Sequence, residues 1–209
     1  MWTRNLKNLI QTAVTIRTEG KSGQSEHAFG AEDWSFNYKN PGGYVYDFCM
    51  FNNYSSYSYM RTYPTFLYAT GGNVQIITSQ TTYADSGSGT KLFIGLGSSD
   101  QAPDEDDYKL VEMISTVTSK SAACTTARND DGTITARYDL IFTATADVTV
   151  KEIGLFMQAY PQAYSSNTNK PHFILVNRTL LDKPLSVASG EVGRVRFSVT
   201  TPKILIGQS

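Results

Sequence analysis

The chain has 209 residues, with 18 Lys or Arg against 19 Asp or Glu and a formal net charge of −1. That length buries a real core, so stability demands neither disulfides nor metals. The first 90 residues carry six basic and six acidic side chains, so no part of the chain reads as a basic nucleic-acid footprint. Ser, Thr, Gly and Tyr are plentiful and charged residues are 18 %, a balance that favours strands over helices.

In chain order, Trp2, Leu6, Leu9, Ile10 and Ala13 fall at helical spacing and predict a short amphipathic helix within an N-terminal arm of residues 1–20. The start lacks the sustained apolar core of a signal peptide, and no stretch approaches the ~20 apolar residues of a membrane span. Synthesis and folding in a cytoplasm are therefore expected. From Ala28 to Tyr83 short β-prone runs follow, "HAFGAEDWSFNYK", "GGYVYDFCMF", "TFLYAT" and "NVQIITSQTTY", separated by "NPGG", "NNYSS" and "TGGN" turns. The Ser/Gly-rich linker 84–90 is too short to divide the chain, and one domain over 1–209 is expected.

"KLFIGLG" (91–97) reads as a compact strand. Beyond it, Asp104 is placed to cap a short helix over 104–113, with Glu105, Asp106 and Asp107 at its positive end. Strands then alternate with turns: "ISTVTSKSAACTTA", the Asp-Gly turn 129–132, "TITARYDLIFTATA", "VTVKEIGLFMQAY", "HFILVNRTLL" and "VGRVRFSVTTPKILI". The sum is a mainly β chain, an antiparallel β-sandwich with one short helix. Residues 90–201 are expected to share one continuous core containing Leu96, Ile141, Ile153, Leu155, Phe173 and Val199.

Catalytic and metal-binding chemistry has little to stand on. The acidic run 104–107 lacks the glycine and glutamate of a calcium loop in either register. His27 and His172 with Cys49 and Cys124 have no zinc spacing. Each cysteine reads as a buried free thiol, with a disulfide between them the other reading. No cofactor, metal site or catalytic residue is assigned; a paired-carboxylate hydrolase survives only because its two acids need no sequence spacing.

The aromatic content is more pointed. Seven of the 13 tyrosines lie between Tyr44 and Tyr68. Within "NNYSSYSYMRTY" (52–63) tyrosine mixes with Ser and Asn, a composition that gives contact area at low entropic cost. Tyr54, Tyr57, Tyr59 and Tyr63 are the candidate partner-binding residues. Ordinary sandwich packing, a protein interface and a sugar-stacking platform all remain open for them.

Several motifs taken in order resemble the small virion structural proteins of tailed bacteriophages, decoration-type and tail-fibre-collar sandwiches among them. They are Gly95 and Gly97, Pro103, Asp107 to Leu110, "VKEIGLF" (150–156), "NRTLLDKPLSV" (177–187) and "SGEVGRVRFSV" (189–199), with "MWTRNLKNLI" at the start. The resemblance is firm over about 90–201 and does not extend to 20–89. It implies a non-enzymatic component of a virion, binding other virion proteins of capsid, neck, tail or baseplate and copies of itself. The alternative is a carbohydrate-binding module that recognises a host surface glycan. In "VKEIGLF" itself, Gly154 is expected at a bulge or close backbone approach, and Glu152 outward or paired with an arginine such as Arg178.

Overall fold

The computed structural model describes residues 1–6, 74–80, 92–157 and 173–200, and by their backbone alone 35–39, 45–49, 158–159 and 172. Tyr54, Tyr57, Tyr59 and Tyr63, His27, "TFLYAT" and the linker 84–90 lie outside the described residues. The predicted N-terminal helix is described only at residues 4–6, which are helical.

The described chain is mainly β. Strands β1 (Ser35–Lys39) and β2 (Val45–Cys49) form an antiparallel pair. Strands β3 (Val74–Ile77), β4 (Leu92–Gly97), β7 (Val148–Ala159) and β8 (His172–Val187) form a four-stranded sheet in the order β3-β4-β7-β8. Strands β5 (Val117–Arg128), β6 (Ile134–Ala144) and β9 (Val192–Thr200) form a three-stranded sheet in the order β5-β6-β9. All pairings are antiparallel except that of β3 with β4, which is parallel. The mainly antiparallel sandwich expected from the sequence is what forms; the one parallel pair sits at the sheet edge, where short runs of alternating apolar residues do not encode the direction of their neighbour.

The two sheets face each other across an apolar interior. Leu92, Ile94 and Leu96 of β4, Ile153, Leu155 and Met157 of β7, and Ile174 and Val176 of β8 meet Tyr138, Leu140 and Phe142 of β6 and Val195 and Val199 of β9. Tyr138 stacks on Phe197 with ring centroids 4.8 Å apart. The Cys124 thiol is free and buried in this interior, so the disulfide reading is excluded.

The four-stranded sheet is also covered on its other face. There Ile77, Phe93, Phe156, Phe173 and Leu175 form a second cluster under Leu110 and Met113. This is why β4 is buried at all six positions and reads as an unbroken apolar run. The expectation of one continuous core is thus corrected. Phe173 belongs to the second cluster, and Ile141 is half-exposed on the outer face of β6 because Leu140 and Phe142 take the inward positions.

Residues 104–113 form no helix; a turn at Glu105–Asp106 leads into irregular chain. The helix-capping role expected of Asp104 is thus not met: it accepts the Asp106 N–H at 2.8 Å within a local turn, while Asp107 accepts the Asp104 N–H at 2.8 Å. The chain then returns beside β4, with Ser98 N–H donating to the Glu112 carbonyl and Ile114 N–H to the Leu96 carbonyl. Those tertiary bonds replace the helical ladder. The turn at 129–132 stands as expected: Gly132 has φ +82°, its N–H donates to the Asn129 carbonyl, and Asp131 accepts the Thr133 N–H.

Leu155 is 1 % exposed in the interior between the sheets. Leu155→Ala is expected to cost ~2–5 kcal/mol in denaturant unfolding, because the packed strands around it cannot collapse into the void; a loss near zero would remove β7 from the centre of the core.

Candidate functional site

Motif residues from 95–110, 150–156 and Arg178 converge on one place, the outer face of the four-stranded sheet. Residues 98–113 cross that face as a strap. Its centre is Arg178, 0 % exposed on β8. A buried guanidinium is stable only when its charge and its N–H groups are matched. Here Nε donates to Glu152 Oε2 at 2.6 Å, Nη1 to Asp107 Oδ2 at 2.9 Å and to the Ala102 carbonyl at 3.3 Å, and Nη2 to the Gln101 carbonyl at 2.8 Å. Glu152, also 0 % exposed, spends its second oxygen on the Glu112 N–H at 3.1 Å. Of the two expectations for Glu152, pairing with Arg178 is the one found.

Glycines let the strap lie this close. A Cβ on Gly97 would stand 2.4 Å from Glu152 Oε1, and one on Gly154 2.7 Å from Phe156 Cε2 and 2.8 Å from Leu110 Cδ2. Gly154 is thus a close-approach position, between two register shifts of β7 against β8. Gln80 pins the strap from the side, its amide donating to the Leu110 carbonyl and accepting the Leu110 N–H. At the acidic tip Arg4 N–H donates to the Glu105 carbonyl, and its guanidinium pairs with Glu105 and Asp106. Lys151 pairs with Asp100 at 3.1 Å. The residues before Arg4 reach the same centre, since Arg178 N–H donates to the Met1 carbonyl and the Met1 ammonium donates to the Arg178 carbonyl.

This constellation is a clasp. The guanidinium and both carboxylates aimed at it are engaged within the protein, and Asp107 and Glu152 share one arginine instead of facing each other across a cleft. Among the described residues no group of three or more His, Cys, Asp or Glu side chains is placed to hold a metal ion. Tyr54, Tyr57, Tyr59 and Tyr63 fall outside the described residues, so they are neither joined to this centre nor separated from it. Sequence reasoning missed Asp107 as a ligand of Arg178: its place in an acidic run pointed to local capping, and only the fold brings β8 beneath it.

The opposite side of the sandwich, the outer face of the three-stranded sheet, carries Arg137, Arg194 and Arg196 around Asp139. Arg194 grips Asp139 with two hydrogen bonds, Nε to Oδ1 at 2.8 Å and Nη2 to Oδ2 at 2.5 Å, and Arg196 adds a third at 3.3 Å. The hydrogen bonds from Arg194 pull the Asp139 carboxyl down from 3.8 to about 2.

Arg178→Met leaves Glu152 buried without its counter-charge, and is expected to cost ~3–5 kcal/mol and to open residues 98–112 to limited proteolysis. An unchanged digestion pattern would show that the strap is held by its apolar residues alone. Asp139 contributes stability that is complete above the ordinary carboxylate range and fades as pH falls toward 2, because its folded value is the lower one. Asp139→Asn should therefore flatten the stability curve between pH 4 and 2, read from urea midpoints at each pH. No protein-family model, curated protein or solved structure matches the chain.

Proposed function

We propose that the chain is a non-enzymatic structural component of a tailed-phage particle that binds neighbouring virion proteins and copies of itself. One observation carries this reading: three of the motifs on which the resemblance rests, those at 95–110, 150–156 and 177–187, meet in a single packed unit on the four-stranded sheet. Gly97 makes room for Glu152, Glu152 and Asp107 hold Arg178, and Gly154 makes room for Leu110. Motifs that meet in one contact network describe one piece of architecture, so their shared order supports a common construction instead of several separate coincidences. The chemistry of that unit is to fasten a strap onto a sheet, which is the work of a scaffold.

Binding is assigned to the tyrosine-rich segment, with Tyr54, Tyr57, Tyr59 and Tyr63 as contacts. Interfaces concentrate their energy in such side chains, and loss of one commonly costs ~2 kcal/mol or more. The test is incorporation into purified particles, read by quantitative mass spectrometry and by imaging of the intact particle. The chain is expected at fixed stoichiometry, and Tyr57→Ala/Tyr59→Ala is expected to keep its melting temperature while dropping out of the particle. A chain recovered only free in the lysate would overturn the reading. So would a double variant that incorporates normally but loses binding on a glycan array, which would assign the segment to host-surface sugar.

A further inference from the structure

The outer face of the three-stranded sheet is built from alternate residues of β6 and β9. Their register sets Ile141 opposite Arg194, Asp139 opposite Arg196 and Arg137 opposite Ser198. Directly paired residues of such a sheet stand ~5 Å apart and diagonal ones ~7 Å, within reach of arginine side chains. Three guanidinium groups therefore meet one carboxylate here. Arg194 takes most of that carboxylate, gripping Asp139 through both Nε and Nη2, while Arg196 reaches it with a single bond of 3.3 Å. Arg137 is exposed, and among the described residues nothing pairs with it.

The third strand does not cancel this excess. On β5 the residues in register with Asp139 and Arg137 are Ala123 and Thr125, small and uncharged. No side chain of that strand neutralises Arg137. Toward the other end of the face, Ile141 is half-exposed and Val192 is 52 % exposed. The face thus runs from an apolar end at Val192 and Ile141 to a basic end at Arg196 and Arg137, with Ile141 and Arg137 roughly 14 Å apart along β6.

We propose that this face is a docking surface for an acidic segment of a partner protein, whose carboxylate is taken between Arg137 and Arg196 while an apolar side chain beside it rests on Ile141 and Val192. Charge complementarity selects an anionic occupant. Asp139, held in the fork of Arg194, shows that an aspartate carboxylate suits the donors presented here. The rest of the face selects protein over other polyanions. No aromatic ring stands among the outward residues of β5, β6 and β9, since Tyr138 and Phe197 pack into the interior, so bases and sugar rings find no platform to stack on. The apolar end gains contact only from side chains of a polypeptide, and arginine beside exposed apolar residues is the composition of a protein interface. The assignment does not rest on the phage reading; it concerns the chemistry the face accepts.

The probe is a fluorescein-labelled oligoglutamate peptide carrying one leucine, titrated with the full chain at low ionic strength and followed by anisotropy. Binding is expected, and it should weaken as salt is raised because the charges are exposed. Arg137→Glu is expected to weaken the peptide about tenfold, since a like charge then faces its carboxylates. Arg137→Gln should act in the same direction to a smaller extent, and it carries the test if the charge reversal fails to fold. Asp139→Asn acts the opposite way. It removes the competing carboxylate and frees Arg194, and should tighten the peptide about threefold, an increase that general destabilisation cannot produce. A heparin fragment and a DNA duplex, added as competitors, are expected to displace the peptide only weakly. A peptide that fails to bind, an affinity indifferent to both Arg137 variants, no tightening by Asp139→Asn, or a competitor that binds more tightly than the peptide at the same arginines would each overturn the proposal.

Discussion

Arg178 has no contact with solvent, and the architecture of one whole face follows from meeting its charge and its N–H groups. An unpaired guanidinium in that position would cost several kcal/mol. The protein meets the demand with one carboxylate from the neighbouring strand and one from the strap, plus two carbonyls that the strap turns inward. Because the second carboxylate and both carbonyls lie between residues 101 and 107, the arginine cannot be satisfied unless the strap is closed. Cover and charge neutralisation are one event.

The consequence for packing is that the central sheet has two buried faces. Leu92, Ile94 and Leu96 look into the sandwich, while Phe93 looks into the smaller cluster with Phe156, Phe173 and Leu110. Gly97 and Gly154 on that second face occupy places where a methyl group would collide with Glu152, Phe156 or Leu110. Among the described residues nothing covers the three-stranded sheet in this way, and it keeps plain alternation, with Leu140 and Phe142 inward and Arg137 and Asp139 outward. The described protein is thus asymmetric: one sheet is sealed by its own loop, and the other offers solvent a charged face.

That asymmetry shapes what the molecule can do. The sealed side has its acids and bases committed to one another, which suits a part that must keep its form. A scaffold unit is the proposed reading in which such a fixed, internally neutralised side has a role.

The sequence by itself determined the strands from β3 to β9, the Asp-Gly turn at 132, the close approach at Gly154 and the Glu152–Arg178 pair as one of two readings. These depend on local rules: a period of two, a residue able to adopt positive φ, and a lone acid in an apolar strand that needs a base. It could not separate the two cores or place Ile141 outside, because an apolar residue in a strand signals burial without saying against which face. The acidic run 104–107 went the same way. The tendency of Asp104 to bond a nearby backbone N–H was readable and survives in a turn, but a helix there competes with hydrogen bonds to β4, Gln80 and Arg178, all distant in sequence. Only the tertiary structure brings those partners within reach, and there Asp107, Leu110 and Glu112 are held by long-range partners that a helix over 104–113 would have to give up.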